Sequence, residues 1–210
     1  MKYINLKNLV KEPFFRKSDI LIRNAGIFDY QLSQWNKKGY IKRIKSGFYV
    51  FTEDMDVLDS RTVSFLLYEP SYISMESALS YYGLIPEIVP TITCLSTKKT
   101  NTFINNYGKF IYRHIKSDLF WGYVIIDTRV GKYLLAEPEK ALLDYIYFNQ
   151  KRLRNKDDIN ELRINGFEFK KTINISKLKI YLSHYSSPTM NHIVNLINNH
   201  VDSESNQKYI

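Results

Sequence analysis

Two adjoining stretches decide the fold: Asp29-Tyr30-Gln31-Leu32-Ser33-Gln34-Trp35-Asn36-Lys37-Lys38-Gly39, then Tyr40-Ile41-Lys42-Arg43-Ile44-Lys45-Ser46-Gly47-Phe48-Tyr49-Val50-Phe51. In the first, Asp29 can cap a helix that runs to Lys38, and Gly39 stops it. Leu32 and Trp35 are i, i+3 neighbours and predict one buried stripe. The opposite face carries Tyr30, Ser33, Gln34 and Lys37, flanked by Gln31 and Lys38. In the second stretch, two apolar runs flank Lys45-Ser46-Gly47, which reads as a strand, a turn and a second strand. A helix with a polar, basic outer face followed at once by a hairpin predicts a helix-turn-helix with a wing.

Upstream residues fit that plan. Residues 3–10 form a short amphipathic pattern (Ile4, Leu6, Leu9, Val10) that Pro13 ends. Ser18 is a plausible N-cap with Asp19 in the first turn, Ile20-Leu21-Ile22 follow, and Gly26 closes the segment. The expected fold class is α+β: a winged helix-turn-helix over 1–54, a mixed α/β domain over 55–200, and a disordered tail over 201–210.

Charge follows the same division. The 210 residues carry a net charge of +9. Residues 1–54 hold eleven Lys and Arg against five Asp and Glu, residues 55–148 nine against ten, and residues 149–210 ten against six. A basic first quarter ahead of a near-neutral body points to a polyanionic partner, double-stranded DNA, met by the N-terminal part. Gln31 and Gln34, helped by Ser33, have the amide and hydroxyl chemistry to read base edges. Lys37, Lys38, Arg43 and Lys45 would hold phosphates and set register. Lys42 and Ser46 stand with them near the turn, where Gly47 lets a phosphate approach. A winged helix used for protein contacts is the plainer alternative.

Past residue 54, Asp59 or Ser60 opens a helix through Leu67, and Ser74 with Glu76 opens another that Gly83 stops. Thr91–Leu95 and 109–115 read as strands, and 123–127 pairs with 132–135 across Arg129-Val130-Gly131. Glu137-Pro138-Glu139 begins a helix to Phe148, with proline in its first turn and acids complementing its dipole. Residues 157–164, 176–185 and 188–200 read as further helices.

Several classes of function are excluded. At 44% hydrophobic and 15% aromatic residues, the chain can bury a core, which argues against global disorder. The single cysteine, Cys94, permits no internal disulfide or Cys-cluster zinc site, and its apolar neighbours place it in a buried strand. No apolar run reaches the ~18 residues of a membrane span, and residues 1–8 lack a signal-peptide core, so a cytoplasmic location with no membrane contact is expected. Ser46-Gly47 before Asp54-Met55-Asp56 reverses the Gly-Ser order of a nucleotidyltransferase and leaves too short a spacing; the acids read as linker. His192 and His200 are eight apart and form no chelating i, i+4 pair, and His114 and His184 stand alone. No phosphate loop, nucleophile elbow or dinucleotide fingerprint occurs. No enzyme, cofactor or metal is expected.

Two stretches outside the first domain resemble a known family. They are Ile73-Ser74-Met75-Glu76-Ser77-Ala78-Leu79-Ser80-Tyr81-Tyr82-Gly83-Leu84-Ile85-Pro86, followed by the strand at Thr91–Leu95, and Ala136-Glu137-Pro138-Glu139-Lys140-Ala141-Leu142-Leu143-Asp144. Their order after a winged helix, across about residues 15–150, resembles the AbiEi antitoxins of bacterial type IV toxin–antitoxin (abortive infection) systems. The resemblance implies an autorepressor that binds inverted repeats in its own promoter. It also implies an antitoxin that counteracts a cognate nucleotidyltransferase-type toxin without needing a stable complex. Glu139, Lys140 and Asp144 then serve either structure or the toxin. Two other readings stand beside it. One is a transcription regulator whose second domain dimerises or senses a ligand, with Tyr81, Tyr82, Phe120, Trp121, Tyr145 and Tyr147 lining a pocket. The other is a nuclease using acids such as Asp127 and Glu139.

Overall fold

Leu32 and Trp35 are both buried, as their spacing requires. The computed structural model describes residues 1–23, 25–87 and 89–207, and its class is α+β. The first elements are α1 (Tyr3–Leu9), β1 (Phe14–Arg16), α2 (Lys17–Ile22), α3 (Asp29–Lys37), β2 (Ile41–Lys45) and β3 (Phe48–Phe51). The three strands form an antiparallel sheet in the order β1-β3-β2. Gly47 makes the β2–β3 turn at φ +71°, a conformation other residues resist.

Three local expectations are corrected. Strand β1 has no counterpart in the sequence reading, because three residues after a proline carry too little pattern to register. It runs straight into α2, so extended Arg16 takes the cap position, and the Ser18 hydroxyl turns to its neighbour Asp19. Asp29 is the first residue of α3 rather than its cap. Phe28 holds the cap position, and the Asp29 carboxylate meets Lys17 at 2.7 Å.

The remaining elements are α4 (Ser60–Leu67), β4 (Tyr72–Ile73), α5 (Met75–Tyr81), β5 (Thr91–Ser96), β6 (Asn101–Asn105), β7 (Gly108–His114), β8 (Tyr123–Thr128), β9 (Gly131–Ala136), α6 (Pro138–Asn149), α7 (Lys156–Asn160), α8 (Gly166–Thr172), α9 (Ile175–Ser183) and α10 (Pro188–Gln207). The six strands line up as β6-β7-β5-β4-β9-β8. The β5–β7 and β4–β9 pairs are parallel and the others antiparallel. Asp59 caps α4 by accepting the Thr62 N–H at 2.8 Å. Helix α10 runs to Gln207, beyond the end at 200 that the sequence suggested; residues 208–210 of the expected tail lie outside the described residues.

Helix α6 fixes the centre. Every residue from Glu139 to Ile146 is buried, because the helix packs against α5, α9 and α10 and follows directly from β9. A helix apolar on one face only would leave a solvent stripe; this one has none over two turns.

Two apolar cores meet at the β2–β3 hairpin. Leu6, Phe15, Ile20, Leu32, Ile41, Tyr49 and Phe51 belong to the smaller core. Ile44, Phe48 and Val50 belong to the larger one. Alternation along β3 sends successive side chains to opposite cores. In β2 alternation from Ile41 puts Ile44 on the larger core's side, and a register shift between Arg43 and Lys45 brings Lys45 opposite Phe48 on that side too. Polar contacts add to this seam. Arg16 pairs with Glu69 and donates to the Leu66 carbonyl at 3.2 Å. One of the two acids read as linker has a partner: residues 52–57 coil as a 3-10 helix, and Asp54, with its neighbour Glu53, grips Lys7 of α1.

Candidate nucleic-acid interface

Helix α3 turns Ser33, Gln34, Lys37 and Lys38 outward, all exposed. The Arg43 N–H donates to Asn36 Oδ1 at 2.9 Å, which ties the end of α3 to β2. Arg43 and Ser46 are exposed, and Lys42 is half-buried. Among the described residues, no ion pair or side-chain hydrogen bond engages Ser33, Gln34, Lys37, Lys38, Lys42, Arg43 or Ser46. Seven of the nine residues singled out in the sequence are thus available on α3 and the hairpin.

Two are not. The Gln31 amide is engaged at both ends: Nε2 donates to the Met1 carbonyl at 2.8 Å, and Oε1 accepts the Phe28 N–H at 3.1 Å. Its role is to close the start of α3 and hold the chain terminus, which removes it as a base reader. Lys45 turns away from the hairpin tip. Its ammonium donates to the Leu67 carbonyl at 2.8 Å and lies against the rings of Phe103 and Tyr68. Burial, then the charges of Arg16 and Lys98, pull it below the ordinary lysine value. Lys45 thus joins the two cores, with its ammonium engaged rather than free at the hairpin tip. Asn36, which the sequence reading passed over, does positioning work on the opposite side of the hairpin.

The second polar centre lies inside α6. Lys140 and Asp144 are one turn apart, and neither side chain is exposed. Asp144 Oδ2 accepts from the Ser74 hydroxyl at 2.7 Å and from the Tyr72 hydroxyl at 3.0 Å. Its Oδ1 accepts from Lys140 and, at 2.9 Å, from the Tyr185 hydroxyl. The Lys140 ammonium gives its other two protons to Tyr72 and Tyr185, at 3.0 and 2.9 Å. The Trp121 ring lies 5.0 Å from it. Burial pushes the Asp144 carboxyl up and the Lys140 ammonium down; the pair itself opposes both shifts, and the Ser74 and Tyr185 hydroxyls oppose the first. All three ammonium protons and both carboxylate oxygens are engaged, so the centre has no open position for a reacting group. Gly122 covers it. A Cβ there would lie 3.1 Å from the Lys140 stem, and the backbone φ is +72°.

Around this centre, Glu137 accepts from Lys177 at 2.8 Å and from Tyr181. Glu139 accepts the Asn174 N–H at 2.8 Å and stands 3.4 Å from Lys177. Both acids thus bind α9 to the start of α6. Asp127 lies in β8, is exposed, and has no hydrogen bond to either acid among the described residues. Among the described residues, no three His, Cys, Asp or Glu side chains gather to hold a metal ion. Nor is any helix among them long and apolar enough to cross a membrane.

The six aromatic residues that could line one pocket in the ligand-sensing alternative do not converge on a single one. Phe120 packs with Tyr72 and Tyr123, and Trp121 packs with Tyr181, His184 and Tyr185. The Tyr82 hydroxyl donates to the Ala136 carbonyl at 2.9 Å. Tyr81 and Tyr145 face different clefts. No protein-family model matches the chain, and no curated protein gives a significant match.

Proposed function

We propose that the chain is a DNA-binding autorepressor that also acts as an antitoxin, with residues 1–54 as a winged helix-turn-helix reader. The observation that carries the DNA half is the row of unpaired cations on α3 and the hairpin: Lys37, Lys38, Lys42 and Arg43. The element order α1-β1-α2-α3-β2-β3, with a hairpin directly after α3, supports the reading. In this reading α3 enters the major groove, Gln34 and Ser33 face base edges, and the four cations hold phosphates. Asn36 keeps helix and wing in one orientation.

The antitoxin half rests on the resemblance of residues 73–86 and 136–144 to AbiEi antitoxins. Lys140 and Asp144 have no free valence, so any action on a nucleotidyltransferase-type toxin is assigned to the surface of this domain and not to those two side chains.

The test is a gel shift on the DNA upstream of the gene, with a salt titration, beside a Lys42→Ala/Arg43→Ala variant. Tight binding to an inverted repeat, weaker and with a shallower salt slope in the variant, is the expected result. Equal affinity for random duplex would refute the autorepressor role. Co-expression with the neighbouring toxin tests the other half separately: growth must be restored.

A further inference from the structure

A cleft of about 370 Å³ opens between α5, the segment after it, α6, α7 and α8. That volume lies at the lower end of the roughly 300–1,000 Å³ typical of small-molecule sites. Its floor is apolar: Leu79, Leu84, Leu142, Ile164 and Phe169. All five belong to the larger core. It shares no residue with the candidate nucleic-acid interface.

The charged wall residues are mostly acidic. Glu76, Glu87, Asp158 and Glu161 line the cleft, and Arg152 is the one cation beside them. The Arg152 guanidinium donates to the Tyr145 hydroxyl and keeps its charge at that edge of the cleft. Asp158 is engaged, accepting the N–H groups of Arg154 and Asn155 at the start of α7. Glu87 has a loose ion pair with Arg163 at 3.6 Å. Glu76 and Glu161 have no hydrogen-bonded or ionic partner among the described residues. Glu76 is half-buried, on the first turn of α5. In a chain of net charge +9, an apolar cleft walled by four carboxylates is a local inversion of the field.

We infer that this cleft binds a small organic cation: an apolar, ring-sized body on the leucine and phenylalanine floor, and an ammonium against Glu76 and Glu161. An anion would face the two carboxylates that have no partner, Glu76 and Glu161, and a neutral ligand would leave both unused. The inference does not depend on the DNA-binding or antitoxin reading.

The experiment uses the full chain and ligand-observed NMR, with affinities from titration calorimetry. The cationic probes are benzylamine, 2-phenylethylamine and tryptamine; 2-phenylethanol and 3-phenylpropanoate are the neutral and anionic controls. At least one amine should bind more tightly than the alcohol, and the carboxylate should not bind. Glu76→Gln should weaken the amine about tenfold, the loss of one charge-assisted hydrogen bond, and leave the alcohol unchanged. Glu161→Gln, on an exposed residue, gives a second variant whose fold is not at risk. Absence of binding by all three amines at millimolar concentration would overturn the inference. So would equal affinity for amine and alcohol, or amine affinity unmoved in both variants.

Discussion

Ser74 occupies the cap position of α5, yet its hydroxyl donates to Asp144 of α6 at 2.7 Å and makes no bond to its own helix. The two stretches that carry the family resemblance, 73–86 and 136–144, are therefore the two that meet at this bond. With Tyr72 and Tyr185, which lie outside both stretches, they build one closed polar centre.

Removing one member of that centre leaves the other buried and unpaired. Lys140→Met should cost about 3–5 kcal/mol, measured by urea denaturation at neutral pH. Lys140→Met/Asp144→Leu should recover most of the loss, because neither charge then remains. Ser74→Ala removes one donor of four and should cost about 1–3 kcal/mol. A Lys140→Met protein as stable as the parent would show that the pair contributes nothing.

Gly122→Ala should be destabilising by more than about 1 kcal/mol, the cost of a left-handed conformation for a residue with a Cβ. The added methyl also meets the Lys140 stem. Thermal melting beside Gly26→Ala, where nothing lies within 4 Å and φ is not left-handed, supplies the control.

Glu137 sets part of the acid sensitivity. Burial raises its carboxyl, but hydrogen bonds from Lys177 and Tyr181 and the Lys177 charge together hold it below the usual value of 4.5. The folded state thus binds its proton later than the unfolded state as pH falls. The stabilisation is full above pH 4.5 and is lost as pH drops through the folded value. Glu137→Gln should flatten the loss of stability in acid, and denaturation at pH 6 and pH 3.5 reads the difference directly.

Lys45 and Arg43 are two residues apart and should behave differently on DNA. Arg43→Ala should reduce the salt slope by about one. Lys45→Met should leave the slope unchanged and lower the melting temperature, because its ammonium binds the Leu67 carbonyl. A slope lowered equally by both would place Lys45 at the phosphates after all.

Long patterned elements were legible in the sequence. Helix α4 with its Asp59 cap, α6 with proline at its start, and the β8–β9 hairpin all lie close to where pattern and turn chemistry put them. What failed was short or non-local. Strands β1 and β4 have three and two residues, too few for a period. Strand β6, Asn101–Asn105, begins and ends in asparagine and draws its order from β7. Helix α8 begins with glycine, which argued against it, although Asn165 and Glu168 at cap spacing were a usable signal. Within the polar centre, the i, i+4 spacing of Lys140 and Asp144 was visible. The hydroxyls of Tyr72 and Tyr185 were not, since they arrive from 68 and 45 residues away from Lys140.

The β2–β3 hairpin also limits how the chain can be recombined. Phe48 and Val50 fit one core, and Tyr49 and Phe51 fit the other. A reader module cut at residue 54 and grafted onto a foreign body would carry half of another molecule's packing with it. A working chimera must bring Arg16, Lys45 and Phe48 together with the α4 and β6 surfaces they rest on, so the unit that can be transplanted is larger than the unit that would touch DNA.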